Sequence, residues 1–185
     1  MRYKFAAIAG SALVVVGCAV VLASDPATFW TTPTVEGYGK IHYLPHAADM
    51  PQPDKTYKVI FALSLGAKSP SEVNEALWHV ARAVNLYAAA GVPLNHLKFV
   101  AVAYGAATPL VLNDAHYRAA YGVPNPNLLL IEKLRAAGVD VAVCGQAVAE
   151  HHYRYDWVDK RVTLTLSALT TITTLESAGY GLVQL

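Results

Sequence analysis

Cys144 is the residue of this chain best placed to do chemistry. It closes the apolar run Val139-Asp140-Val141-Ala142-Val143 and precedes Gly145-Gln146-Ala147-Val148-Ala149. A strand handing over to a helix there puts the sulfur at the C-terminal edge of a sheet and at a helix N-terminus, where parallel α/β sheets keep their sites. Backbone N–H groups and the positive end of the helix dipole favour thiolate over thiol at such a position, and the thiolate is the reactive form. Free cysteine is also a common small apolar filler of cores. Position alone therefore leaves a reactive and an inert Cys144 both open.

Other side chains near it in sequence are weaker candidates. Gln146 follows closely enough for its amide to hydrogen-bond a bound sulfur or substrate, although surface helix glutamines are common. His151 and His152 come seven and eight residues after Cys144. On a continuous helix they would lie about 10–12 Å further along the axis, beyond reach of the sulfur. A Cys144–His151 pair needs the helix to end early or a neighbouring subunit to supply the imidazole. Adjacent histidines on a helix point about 100° apart and make a poorer metal site than an i, i+4 pair. No metal is assigned. With Tyr153, Arg154, Tyr155, Asp156 and Trp157 following, the segment reads as a polar aromatic loop near the site or as a subunit contact. Clustered glycines with a Walker-type lysine are absent, and so is a Gly-x-Ser-x-Gly elbow. Ser64 and Ser167 have no evident base partner, and His42 and His46 fall in a Pro-rich stretch where histidines are usually just solvated. Nucleotide binding and serine hydrolysis have no support, and no cofactor is called for.

With 185 residues the chain suffices for one domain with a proper core, a processed segment and a tail. A formal net charge of +1 and 15% charged residues leave neither a basic stripe for nucleic acid nor an acidic block. Small molecules or other proteins are the expected partners. Met1 to Ser24 reads as an export signal: Arg2 and Lys4 precede the apolar stretch Phe5–Leu22, and Ala23-Ser24 suit cleavage. Two alternatives stand beside it. The apolar run is long enough to stay as a membrane anchor, and Val15-Val16-Gly17-Cys18 resembles a lipobox that would lipidate Cys18. Membrane contact is expected only in those two cases. Cleavage after Ala23 or Ser24 would leave Cys144 as a lone thiol in an oxidising compartment, where it is either a free reactive group or an intermolecular partner.

The elements that must position Cys144 follow from pattern. Residues 25–56 carry Pro26, Pro33, Pro45, Pro51 and Pro53 with Gly37 and Gly39, too punctuated for long regular elements, and read as an extension or linker. The domain then occupies residues 57–185. Tyr57–Leu65 reads as a strand buried on both faces, and Ser69, Pro70 and Glu72 as a capping box opening a helix that stops at Gly91. Leu97–Ala103 is a second buried strand ending at Tyr104-Gly105. Asp114–Tyr121 and Asn127–Ala137 read as helices before the strand that delivers Cys144. Val162–Leu166 reads as a strand, Ala168–Ser177 as a helix and Leu182–Leu185 as a last strand. Strands alternating with helices imply right-handed crossovers and an α/β fold of three layers, a mostly parallel sheet with helices on both faces.

Four stretches carry a resemblance: Tyr57-Lys58-Val59-Ile60-Phe61, then Leu97 through Tyr104-Gly105, then Gly138 through Cys144-Gly145-Gln146, and the close Glu176-Ser177-Ala178-Gly179-Tyr180-Gly181. In order and spacing they resemble the DsrE/DsrF-like family, in particular its exported members, from roughly Gly37 to the C-terminus. The resemblance implies a compact sandwich related to flavodoxin-like topology, assembled as a homo-oligomer, a trimer or hexamer. It also implies sulfur carried as a persulfide on the cysteine after the third strand, here Cys144, taken from a small sulfur donor and passed to a protein acceptor. Many relatives place His before the glycine that follows the second strand. This chain has Tyr104 there. The site expected from these readings is Cys144 as reactive residue with Gly145, Gln146, Tyr104, His151 and His152 around it, in a periplasmic or otherwise exported protein. The competing expectation is a non-catalytic oligomeric module that binds a small ligand or partner, with Cys144 buried and inert.

Overall fold

The computed structural model describes residues 29–185. The expected export segment 1–24, Cys18 included, lies outside the described residues. Five strands form the sheet: β1 (Tyr57–Leu63), β2 (Leu97–Ala103), β3 (Asp140–Cys144), β4 (Thr163–Thr165) and β5 (Gly181–Gln184). Their order is β4-β3-β2-β1-β5, and every pairing is parallel. Five α-helices lie in the connections: α1 (Glu75–Ala89), α2 (Asp114–Tyr121), α3 (Leu128–Ala136), α4 (Gly145–Glu150) and α5 (Ala168–Ser177). From β1 to β4 the chain steps across the sheet in one direction, and from β4 it returns past the other three strands to β5. With right-handed crossovers, the return must run over the opposite face from the outward steps.

The two faces are unequal. On one, Leu77, Val80 and Val84 of α1 and Leu130, Ile131 and Leu134 of α3 pack onto Phe61, Phe99, Val141 and Val143. On the other, a smaller cluster of Ile60, Val102, Ala142, Cys144, Ala147 and Ala168 is covered by Ile172 and Leu175 of α5. Both faces being covered explains the unbroken apolar runs of β1 to β3. The period of two along β3 sends Val141 and Val143 to the thick core and Ala142 and Cys144 to the thin one.

Two local expectations need correction or completion. The Ser69-Pro70-Glu72 capping box does not open α1. Those residues form a turn in which Glu72 N–H donates to Ser69 C=O at 3.1 Å. The cap is Asn74, whose Oδ1 accepts from Leu77 N–H at 3.1 Å while its Nδ2 donates to Leu65 C=O at 2.7 Å. Its own N–H donates to Asn127 Oδ1 at 2.8 Å, so a tie from the start of α3 fixes where α1 begins. Segment 29–56 has no long regular element but is firmly docked, with an antiparallel Thr31–Ile41 bridge and buried Val35 and Ile41. Asn85, buried in α1, holds it. Its Oδ1 accepts from Thr34 and Val35 N–H at 3.0 and 2.8 Å, and its Nδ2 donates to Tyr38 and Gly39 C=O, both at 2.9 Å.

The approach to β4 is fixed by a buried acid. Asp159 accepts from Arg161 Nε and Nη2 at 2.7 and 2.9 Å, and Arg161 Nη1 reaches Glu132 of α3 at 2.8 Å. The Arg161 guanidinium holds the Asp159 carboxyl below the usual carboxylate range.

Candidate functional site

Cys144 is both the last residue of β3 and the N-cap of α4, with φ −68° and ψ 115°. Its Sγ accepts from Ala147 N–H at 3.4 Å, so it satisfies one of the donors that a helix start leaves free. A hydrogen bond of this kind strengthens when the acceptor is ionised. Next in the chain, Gly145 has no positive φ; its requirement is space. A Cβ there would lie 2.6 Å from Thr165 C=O, so only glycine lets the end of β4 rest on the first turn of α4.

The neighbouring strand repeats the device. β4 runs beside β3 with Cys144 opposite Thr165, and Thr165 Oγ1 donates to Val143 C=O at 3.0 Å. Two residues on, Ser167 caps α5, its Oγ accepting from Leu169 N–H at 3.2 Å. Parallel pairing of the two strands therefore sets two helix caps side by side, Cys144 Sγ and Ser167 Oγ 3.9 Å apart. Gln146 Nε2 donates to Leu166 C=O at 3.1 Å and holds the covering segment down. Under that cover Cys144 is 5% and Ser167 8% exposed, whereas Leu166 and Leu169 on either side of Ser167 stand 73% and 78% exposed. Half-buried Tyr104 packs against the same small cluster.

Of the residues expected around the thiol, Gly145 and Gln146 adjoin it in the chain, with the Gln146 amide turned to Leu166 C=O, and Tyr104 packs against the same cluster. His151 arrives at an adjoining corner. Because α4 ends at Glu150, the imidazole swings to the turn after β2 and its Nε2 donates to Gly105 C=O at 2.8 Å. The turn whose leading residue is Tyr104 thus receives an imidazole from another element. His152 is exposed, in left-handed backbone with φ 57°, and does not join the group. Ser167, Thr165 and Leu166 escape sequence reasoning as site residues. Ser167 directly before the helix Ala168–Ser177 does carry the signature of a cap, but its proximity to Cys144 exists only through the β3–β4 pairing.

A separate cleft of about 170 Å3 opens at the same edge of the sheet, between the loops that follow β1 and β2. Lys68, Ser69, Asn74, Tyr117, Tyr121 and Asn127 line it with several apolar residues, and Cys144 does not. Tyr117 donates to Pro70 C=O at 2.9 Å, and the Tyr121 and Tyr153 hydroxyls share a hydrogen bond of 3.2 Å. Burial, with the Tyr121 contact second, pushes the Tyr153 phenol far above its ordinary range. The aromatic segment after α4 is largely occupied within the chain. Trp157 stacks on His116 with ring centroids 4.5 Å apart, and Tyr153 on His151 at 5.4 Å. Tyr155 is the exposed one.

A five-stranded parallel α/β sheet whose third strand delivers a cysteine to a helix start defines a class of small sandwich proteins. The chain belongs to the DsrE/DsrF-like family, whose family model matches residues 58–185. Its fold is similar to that of MTH1491 from Methanobacterium thermoautotrophicum, a solved protein of unknown function. The TM-score is 0.52 and the identity 18%, covering 70% of this chain and 99% of that one. At that identity the likeness is one of fold. No curated protein matches the chain.

Proposed function

We propose that this chain is an exported sulfur carrier that holds a persulfide on Cys144. Family membership supports the association with sulfur relay, and one observation carries the choice of residue: the sulfur caps α4, facing Ala147 N–H and the Ser167 hydroxyl. In the loading step the Cys144 thiolate attacks the outer sulfur of a sulfane donor. The new S–S bond forms as the donor's S–S bond breaks, and the donor leaves as its thiolate. In the unloading step an acceptor thiolate attacks the terminal sulfur, and the Cys144 thiolate is regenerated. Neither step changes the net number of electrons, and neither calls on a metal or organic cofactor. Since Cys144 is 5% exposed, a donor reaches its sulfur when the Leu166–Leu169 segment shifts.

The N-terminal segment supports export to the periplasm or an equivalent compartment, and membrane attachment follows only if that segment is retained or Cys18 is lipidated. A homo-oligomer, trimer or hexamer, is part of the proposal. The exposed side chains Tyr155, Leu164, Leu166 and Leu169 flank the Cys144 junction and offer it an apolar contact. Chain from its native host should begin near Ser24 or Asp25 and scatter light as an oligomer. An intact Met1 or a monomer at micromolar concentration would remove the corresponding part.

A second reading has its own observation. Cys144 is nearly closed off while the cleft beside Lys68 and Tyr121 is open, the arrangement expected of a ligand-binding module with an inert cysteine. Iodoacetamide separates the two. The carrier predicts that Cys144 of the native chain is alkylated without denaturant. Alkylation that begins only on unfolding would favour the module.

A further inference from the structure

We propose that Ser167 is a positioning residue for Cys144, its hydroxyl donating to the sulfur anion and orienting it together with Ala147 N–H. The inference rests on the carrier reading of Cys144 and assigns a role to a residue outside that reading's expected site. Ser167 Oγ already accepts from Leu169 N–H at 3.2 Å, which leaves its hydroxyl hydrogen to be placed. Among the described residues the side chain has one further hydrogen-bond partner, Cys144 Sγ at 3.9 Å. With the thiol protonated, S–H donates to Oγ. Once that proton has left, a rotation of the hydroxyl alone reverses the bond, and the sulfur then faces two donors from two different helix starts.

The pair is held in place from outside. Cys144 lies opposite Thr165 in the β3–β4 register, Gly145 rests against Thr165 C=O, and Gln146 ties to Leu166 C=O at 3.1 Å. These three contacts fix the start of α5 relative to the start of α4 and so hold Ser167 Oγ 3.9 Å from the sulfur. Capping α5 accounts for a serine here but not for the proximity of its oxygen to the one described cysteine.

Substitutions that keep the cap but change the donor separate the two roles. Glycine is nearly as good an N-cap as serine but has no hydroxyl, whereas threonine caps and donates. Alkylation of Cys144 by iodoacetamide is followed in the folded full-length chain, with the Cys144 and Cys18 peptides resolved by mass spectrometry. Ser167→Gly should slow alkylation of Cys144 about tenfold, the scale of a lost hydrogen bond to a charged group. Ser167→Thr should restore it to within about twofold of the parent on the same scale. Ser167→Ala serves as a second hydroxyl-free variant if the glycine chain does not fold, and melting temperatures check that the variants compared are folded. Alkylation as fast as the parent or faster in Ser167→Gly and Ser167→Ala, or a Ser167→Thr chain as slow as they are, would overturn the role and leave Ser167 a cap. A parent chain whose Cys144 is not alkylated at all would instead sink the carrier reading, and this role with it.

Discussion

Gly145→Ala should destabilise the domain by about 2–4 kcal/mol, at or above the upper end of the about 1–3 kcal/mol usual for overpacking. The added Cβ would meet Thr165 C=O at 2.6 Å and Leu166 C=O at 3.4 Å. The first obstacles are backbone atoms, which cannot rotate away as a side-chain tip would. Relief must come from moving β4, an edge strand of three residues paired only with β3. Such a shift would part Cys144 from Ser167 and lift the cover from the sulfur. Calorimetry should show a melting temperature lower by roughly 5–15 °C for a chain of this size. Alkylation of Cys144 should lose its dependence on the Ser167 hydroxyl. A melting temperature within about 2 °C of the parent would mean that the two junctions are not in close contact.

Asn85→Ala should free the 29–56 segment from α1. Four backbone groups lose their partner at once: Thr34 and Val35 N–H, and Tyr38 and Gly39 C=O. Leaving them buried would cost more than exposing them to water, so the segment should undock instead of staying in place unsatisfied. At about 0.5–1.5 kcal/mol per hydrogen bond the four lost bonds set a loss of about 2–6 kcal/mol, capped at what docking contributes. Gly39 makes the same contact from the other side. It has φ +60°, and a Cβ on it would collide with the Arg82 and Ala81 backbone. Denaturant unfolding should report the lost stability, and limited proteolysis should cut the variant between Thr31 and Ile41 well before the parent. Unchanged protection there would show that the segment is held by something other than Asn85.

Elements whose residues declare themselves locally were legible in the sequence. β2 and the helices Asp114–Tyr121 and Ala168–Ser177 have the bounds their patterns predict, and in the structure Asn113 and Ser167 cap the two helices. The start of α1 was not legible. Ser69-Pro70-Glu72 obeys every local rule for a helix start, yet the ties of Asn74 to Leu65 and to the distant Asn127 decide the matter. The docked extension was hidden for a similar reason: Asn85 in the sequence is one polar residue on a helix, and its four bonds need the fold to exist. At the site, the strand-to-helix position of Cys144 could be read directly. Its cover and its proximity to Ser167 could not, since both follow from a parallel pairing between segments about twenty residues apart. His151 reaches Gly105 because α4 stops after six residues, an early end that no glycine or proline announces.

Mass analysis of the loaded protein tests most directly whether Cys144 carries sulfur. Native chain is incubated with an inorganic polysulfide, freed of excess donor and digested without reductant. The Cys144 peptide should gain one sulfur atom, a thiol acceptor should remove it, and Cys144→Ser should leave the corresponding peptide unchanged. A Cys144 peptide that stays at its unmodified mass in the native chain, while the same donor loads a small reference thiol, would contradict the carrier reading.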